Sequence, residues 1–255
     1  MNTSTFRFYA ELNDFLPSEK RRRVIGYEFR GSPAVKDAIE ALGVPHTEVD
    51  VVLVNGCSVD FAYHLRLGDR VAVYPVFESL DITPLVRLRH RPLRRTAFLT
   101  DVHLGKLTRL LRMLGVDTAQ SKAAEDAQIV TTAVKEARII LTRDRQLLKH
   151  SAVTHGYWVR STQPLEQARE VVRRFDLSSQ VQPFRRCLSC NGLLSPVDKQ
   201  DVLPRIPPKT ALWQDDYYVC ADCNKLFWRG THFPKLQSMI ECVLGEGKTP
   251  DSPFC

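Results

Sequence analysis

Seven cysteines stand in this chain of 255 residues, and four of them form two C-x-x-C pairs. Cys187 and Cys190 enclose Leu188-Ser189, and Cys220 and Cys223 enclose Ala221-Asp222. Each pair puts two thiolates on one tight turn. Two such turns supply four soft ligands in the tetrahedral arrangement that suits zinc. Asn191-Gly192 follows the first pair and Asn224-Lys225 the second, turn residues that let backbone amides approach the sulfurs. Residues 191 to 219 leave room for a pair of strands. With four protein ligands and no open position, the expected Zn²⁺ is structural. The competing readings are two unrelated thiol pairs or a redox C-x-x-C. Cys57, Cys242 and Cys255 fall into no ligand pattern.

A second set of residues is acidic. Asp101 directly follows the apolar run Ala97-Phe98-Leu99-Thr100, and Asp144 follows Ile139-Ile140-Leu141-Thr142 by two residues. Asp126 opens the helical stretch that precedes the second run. In a parallel sheet the carboxyl ends of strands and the adjacent helix starts face a common crevice. Carboxylates gathered there repel one another unless a cation neutralises them, and hard oxygen donors suit Mg²⁺ or Mn²⁺. Such an ion can activate water and stabilise the leaving oxygen in phosphodiester cleavage. Each aspartate also has a plainer reading. Asp101 can cap the helix near His103, Asp126 can favour a helix N-terminus, and Asp144 can be a turn residue.

The third set is basic. Lys plus Arg number 36 against 29 acids, a net charge of +7 that favours anionic partners, nucleic acid first among them. Lys106, Arg109 and Arg112 recur on one side of the helix after Asp101, away from its leucines, and Arg143 and Arg145 flank Asp144. All five are candidate phosphate contacts, with a solvated basic face as the alternative. Arg21-Arg22-Arg23 and the stretch Arg87 to Arg95 are further basic runs. Trp228 and His232 can stack on a base or pack the cysteine-bearing segment.

These side chains need elements to hold them. Residues 1–85 read strand, strand, helix, strand, strand: FRFYAE, VIGYEF, a helix with Ser32 as N-cap and Pro33 at its first position, VDVVLVNG, and LRLGDRVAVYPVF. That is the order of a β-grasp, an α+β module. Residues 96–180 alternate strands and helices, which implies an α/β domain with a parallel sheet. Leu104, Leu107, Leu111 and Leu114 mark one helix, ended by Gly115. Ala123, Ala127, Val130, Val134 and Ala137 mark a second, and Pro164 opens a third. A strand is expected at residues 157–160. Residues 181–244 form the zinc ribbon, and residues 245–255, rich in Gly and Pro, form a disordered tail. Hydrophobic residues make up 44%, enough for a core, yet no run approaches the roughly 20 apolar residues of a membrane helix. MNTSTFRFYAEL has neither an apolar signal core nor a basic leader, so the expected compartment is the cytoplasm.

The first segment resembles the small sulfur carriers of molybdopterin and thiamine synthesis, in VNG and LGDRVAVYP. Those carriers act through a Gly-Gly tail, whereas this segment runs on through Phe77-Glu78-Ser79-Leu80. A ubiquitin-like interaction module with a protein partner is therefore expected rather than sulfur transfer. EDAQIVTTAVKEARIILTRDRQLL resembles the second half of a PIN-type nuclease domain. The ordered motifs FLTDVHLGKLTRLLRMLGVDT, LTRDRQLL, RCLSCNG and CADCNKLFWRGTHF are similar to the Mut-seven C-terminal RNase family, which joins a PIN-like domain to a zinc ribbon, often behind a ubiquitin-like module.

The resemblance implies a metal-dependent ribonuclease with Asp101, Asp126 and Asp144 as catalytic acids holding Mg²⁺ or Mn²⁺. It also implies products with 5′-phosphate and 3′-hydroxyl ends. PIN nucleases commonly use a further acid on an earlier helix. Here that helix offers Lys106, Arg109 and Arg112, and the role stays open between Asp117 and Glu125. The alternative is a protein that binds structured RNA, tRNA or the ribosome, through a degenerate PIN site without cutting it.

Overall fold

The computed structural model describes residues 1–75, 96–122 and 125–245. The basic run from Arg87 to Arg95, the Phe77–Leu80 continuation and all of the expected tail beyond Gly245 lie outside them.

The chain opens with β1 (Asn2–Phe8), β2 (Ile25–Phe29), α1 (Val35–Ala41), β3 (Val49–Val54), β4 (Cys57–Val59) and β5 (Arg70–Pro75). They form one five-stranded sheet in the order β2-β1-β5-β3-β4, with β1 and β5 parallel and the other pairs antiparallel. This is the expected β-grasp. Its core, including Phe6, Phe8, Ile39, Val52 and Val73, is buried against α1 and the sheet. Asn55 and Gly56 both take positive φ (52° and 87°), the conformation a two-residue hairpin turn demands, and so join β3 to the short β4.

Two details depart from the sequence reading. Helix α1 begins at Val35, not Pro33, because the preceding residues are committed to another segment. Ser32 Oγ and Pro33 carbonyl bond to Leu65, and Val35 N–H donates to Tyr63 carbonyl. The strand β4 was not anticipated.

Next come β6 (Ala97–Thr100), α2 (Gly105–Met113), β7 (Asp117–Gln120), α3 (Asp126–Glu136), β8 (Ile139–Thr142), β9 (Gly156–Trp158) and α4 (Pro164–Arg174). β6 pairs in parallel with β7, and β8 in parallel with β9, as a parallel α/β domain requires. The leucine stripe is buried as expected. The stripe assigned to α3 is rotated: Ile129, Val130 and Ala133 are buried, while Ala127 is exposed and Val134 is 54% exposed. Ile129 offers more apolar surface than Ala127, and burial follows area. β9 begins one residue before the expected strand and ends two residues sooner. Strand β7, sequence DTAQ, is too polar to show periodicity.

The cysteine-bearing segment contains β10 (Leu194–Val197), single-turn helices α5 (Lys199–Val202) and α6 (Pro208–Ala211), β11 (Tyr217–Cys220), β12 (Leu226–Trp228) and α7 (Phe233–Leu244). The three strands form an antiparallel sheet in the order β10-β11-β12. Trp228 packs beside Tyr217 over Val202 and Ile206, so its role is packing.

By compactness the chain divides into two units. The first comprises Met1–Arg95 with Glu125–Trp158, and the second Thr96–Ala124 with Val159–Cys255. No described helix is long and apolar enough to cross a membrane.

The carrier-like motifs VNG and LGDR have a structural use. Asp69, 4% exposed, accepts hydrogen bonds from Asn55 Nδ2 (2.9 Å), Tyr63 Oη (3.1 Å) and Arg66 N–H (2.9 Å). Asn55 Oδ1 accepts from Arg70 N–H (3.0 Å). Burial raises the Tyr63 hydroxyl above its ordinary pKa, and its bond to Asp69 raises it further. Removing Asp69 strands three donors. Asp69→Ala is expected to destabilise the β-grasp by about 3 kcal/mol, measured as a lowered denaturation midpoint with unchanged slope.

Candidate functional site

The two cysteine pairs are brought together by their own turns. Cys187 N–H donates to Gly192 carbonyl (2.8 Å) and Asn191 N–H to Cys187 carbonyl (3.0 Å). The same pattern recurs from Cys220 to Lys225 and from Asn224 to Cys220, both at 3.0 Å. Asn191 and Asn224 take φ of 80° and 57°, which asparagine tolerates, and this reverses the chain beneath each pair. The four sulfurs lie within 4.8 Å of one another, with Cys187–Cys223 at 3.7 Å and Cys190–Cys220 at 3.3 Å. Zn–S bonds of about 2.3 Å place tetrahedral sulfurs roughly 3.8 Å apart, so the set fits Zn²⁺ in both donor chemistry and spacing. Burial pushes the Cys190 thiol up to about 12. Cys220 is also penalised by burial, yet the amides of Cys223 and Asp222 bring it down to about 7.

The ribbon is tied to α2 by one side chain. Arg112 was expected on the solvated face, but it is 5% exposed. Its Nε donates to Thr118 carbonyl (2.8 Å), and its Nη1 donates to the carbonyls of Leu188 (3.2 Å) and Ser189 (2.9 Å), inside the first cysteine pair. Arg112 thus gives these donors to backbone carbonyls, and it also lines the cleft that Lys106 and Arg109 face. The guanidinium fork satisfies carbonyls that a zinc turn points inward. Asn191 continues the link, donating from Nδ2 to Asp117 Oδ1 (2.8 Å) and accepting at Oδ1 from Thr118 N–H (3.0 Å). Asp117 also pairs with Arg186 (3.3 Å) and is buried, so its carboxylate serves the ribbon junction. Gly115 is obligatory here: its φ is +83°, and a Cβ would lie 2.1 Å from Gln182 carbonyl oxygen.

Above Arg112, within the same unit, lies a cleft of about 830 Å³. Lys106 and Arg109, both exposed, line it together with His103, Gln120, Gln163, Gln167 and Ser189. Gly105 and Pro164, the first residues of α2 and α4, also face it. No acidic side chain is among its described lining residues. Helix starts present unsatisfied N–H groups, so cleft and cations together favour an anion. The glutamines and Ser189 went unnoticed in the sequence. Ser189 sits inside C-x-x-C and Gln163 precedes the helix-opening proline, positions that fix where each must lie.

Asp101 caps the turn that contributes His103 and Leu104 to this cleft. It is 6% exposed, and its Oδ1 accepts from His103 N–H (2.8 Å) and Leu104 N–H (3.2 Å). The capping role and a place at a strand end thus coexist. Asp126 is the first residue of α3 and Asp144 lies two beyond β8; both are exposed and both belong to the first unit. Asp144 forms its own turn, donating from N–H to Thr142 Oγ1 (2.9 Å) and accepting at Oδ1 from Gln146 N–H (2.7 Å). Among the described residues, the cysteines are the one group of three or more candidate ligands within 4.8 Å.

Of the arginines flanking Asp144, Arg143 is exposed. Arg145, the other candidate phosphate contact, lies over the rings of Trp158 (4.0 Å) and Phe15 (5.3 Å) and donates to the carbonyls of Phe15 and Asp14, both at 3.3 Å.

Comparison with known proteins gives two family matches. The family model described as Mut7-C RNAse domain matches residues 96–240, and the one described as Mut7-C ubiquitin matches residues 1–81. Among solved structures, the small archaeal modifier protein 1 of H. volcanii is 20% identical, covering 29% of this chain and 98% of that one, with a TM-score of 0.24. A second structure, SAMP1 from Haloferax volcanii, is 19% identical over 31% of this chain and 100% of that one, with a TM-score of 0.25. No curated protein matches the chain.

The freshly purified chain is expected to hold one Zn²⁺, lost in Cys187→Ser or Cys220→Ser, as read by elemental analysis. Arg112→Met should keep zinc but weaken its retention against a chelator by about 10-fold, since outer-shell partners tune affinity on that scale.

Proposed function

We propose, from the premise that this chain belongs to the Mut7-C RNAse domain family, that it is a divalent-metal-dependent ribonuclease acting on RNA phosphodiesters. The observation that carries this reading is a basic cleft whose lining includes the turn capped by Asp101. His103 and Leu104 line the cleft and at the same time hold Asp101 through their backbone amides. Phosphates seated by Lys106 and Arg109 would therefore pass beside a fixed carboxylate.

Asp101, Asp126 and Asp144 are the residues that would hold Mg²⁺ or Mn²⁺. Mg²⁺ usually keeps several waters and takes only one or two carboxylates directly. Bound there, the ion would activate water and offset the charge growing on the leaving 3′-oxygen. The protein's own share is positioning. The amides of His103 and Leu104 orient Asp101, the Thr142–Gln146 turn orients Asp144, and the basic side chains hold the strand. Arg143 is a further candidate phosphate contact, exposed beside Asp144.

A second reading, RNA binding without cleavage, draws on one observation. Asp117, a candidate for the further acid, is spent on Asn191 and Arg186. Structured RNA such as tRNA or the ribosome would be the target, and the ubiquitin-like module would recruit a protein partner in either case.

Asp144→Asn separates the two readings. It is expected to cut RNA cleavage in Mg²⁺ or Mn²⁺ by roughly 100-fold or more while leaving RNA binding intact. Equal cleavage by variant and parent would remove Asp144 from the mechanism, and a parent inert in both metals would favour binding alone. Arg109→Glu should weaken RNA affinity and lower the salt-dependence slope by about 1, measured by titration at several salt concentrations.

A further inference from the structure

The first unit contains a contact that neither the β-grasp nor the nuclease reading explains. Asp144 sits on an exposed loop, where a carboxylate samples many positions unless its neighbours are held. Here both neighbours are held. The carbonyl of Arg143 accepts from Trp158 Nε1 (3.2 Å), and the guanidinium of Arg145 lies 4.0 Å from the centre of the Trp158 ring.

Trp158 and Arg145 are in turn fixed by the β-grasp module. Trp158 N–H donates to Oε1 of the fully buried Glu48 (2.7 Å), and the Trp158 and Phe15 rings lie 5.0 Å apart. Arg145 donates to the carbonyls of Asp14 and Phe15. The grip extends beyond the loop. His46 meets Val153 carbonyl (2.8 Å) and Lys149 Nζ donates to Glu40 carbonyl (2.9 Å). A module that served only to recruit partners would need none of these bonds. A planar cation stacked on two rings and forked onto two carbonyls is a rigid joint.

We infer that the β-grasp module is the positioning element for Asp144: Glu48 and Phe15 lock Trp158 and Arg145, which hold the loop on both sides of the carboxylate. The inference rests on the reading of Asp144 as a catalytic acid. Phe15, Glu48, Arg145 and Trp158 are positioning residues, acting through Asp144.

The test uses the full chain, with steady-state cleavage of a labelled single-stranded RNA in Mn²⁺ and amide exchange across residues 139–158. Arg145→Ala and Glu48→Ala are each expected to lower kcat by about 10-fold or more, with KM within two-fold, salt dependence unchanged and faster exchange in the loop. Glu48→Gln keeps an acceptor for Trp158 N–H and should retain the parent kcat, which guards against a Glu48→Ala chain that fails to fold. Unchanged kcat in Arg145→Ala with a loosened loop would overturn the inference and leave the nuclease reading standing. So would a loss confined to KM with a flattened salt slope, which would make Arg145 an RNA contact. A parent chain that cuts no RNA would sink the nuclease reading and this inference with it.

Discussion

Arg112 is the side chain on which the second unit depends. A guanidinium buried to this degree is tolerable only when its N–H groups find acceptors. It finds them in Thr118 beside β6 and in Leu188 and Ser189 within the first zinc turn. Helix α2, strand β7 and the ribbon are thereby locked at one point. The first cysteine turn presents two of those carbonyls and contributes Ser189 to the cleft. The ribbon is thus a wall of the candidate binding site, tied to α2 through Arg112. Outer-shell bonds of this kind fix a metal turn as surely as its ligands do.

The first unit uses the same device for another end. Arg145 gives its donors to backbone carbonyls and its flat face to Trp158 and Phe15. In both units an arginine that looks like a phosphate contact in the sequence is a joint between segments far apart in the chain. Arginine suits the task because its planar fork meets several carbonyls at once and never loses its charge. Arg109 and Lys106, about one and two turns before Arg112 on the same helix, remain exposed and line the cleft.

This explains what could and could not be read from the residues alone. The cysteine turns were legible because zinc demands a ligand type and spacing that little else produces. The β-grasp was legible because β3 and β5 are apolar runs with Asn-Gly and Leu-Gly-Asp turns between them. The stop at Gly115 was legible from a positive φ that few residues accept. Strand β7 was hidden because Asp117 and Thr118 are buried by bonding to Asn191, a partner more than 70 residues away. The start of α1 shifted because Ser32 and Pro33 answer to Leu65. The fate of Arg112 and Arg145 turned on carbonyls that no local pattern reveals. Asp101, Asp126 and Asp144 were found at the strand and helix ends where they were expected, but their shared use of a metal is a matter of chemistry.

That chemistry leaves a signature at the cut. Hydrolysis by an activated water needs no 2′-hydroxyl and leaves 5′-phosphate and 3′-hydroxyl ends, whereas attack by the RNA's own 2′-oxygen leaves a cyclic phosphate. The direct measurement is end-group analysis of products from an RNA carrying one 2′-deoxy nucleotide at the cleaved position, incubated with the full chain in Mg²⁺ or Mn²⁺. The account predicts cleavage at the deoxy position with 5′-phosphate and 3′-hydroxyl products. Cyclic phosphate products, or cleavage that stops at the deoxy position, would contradict it.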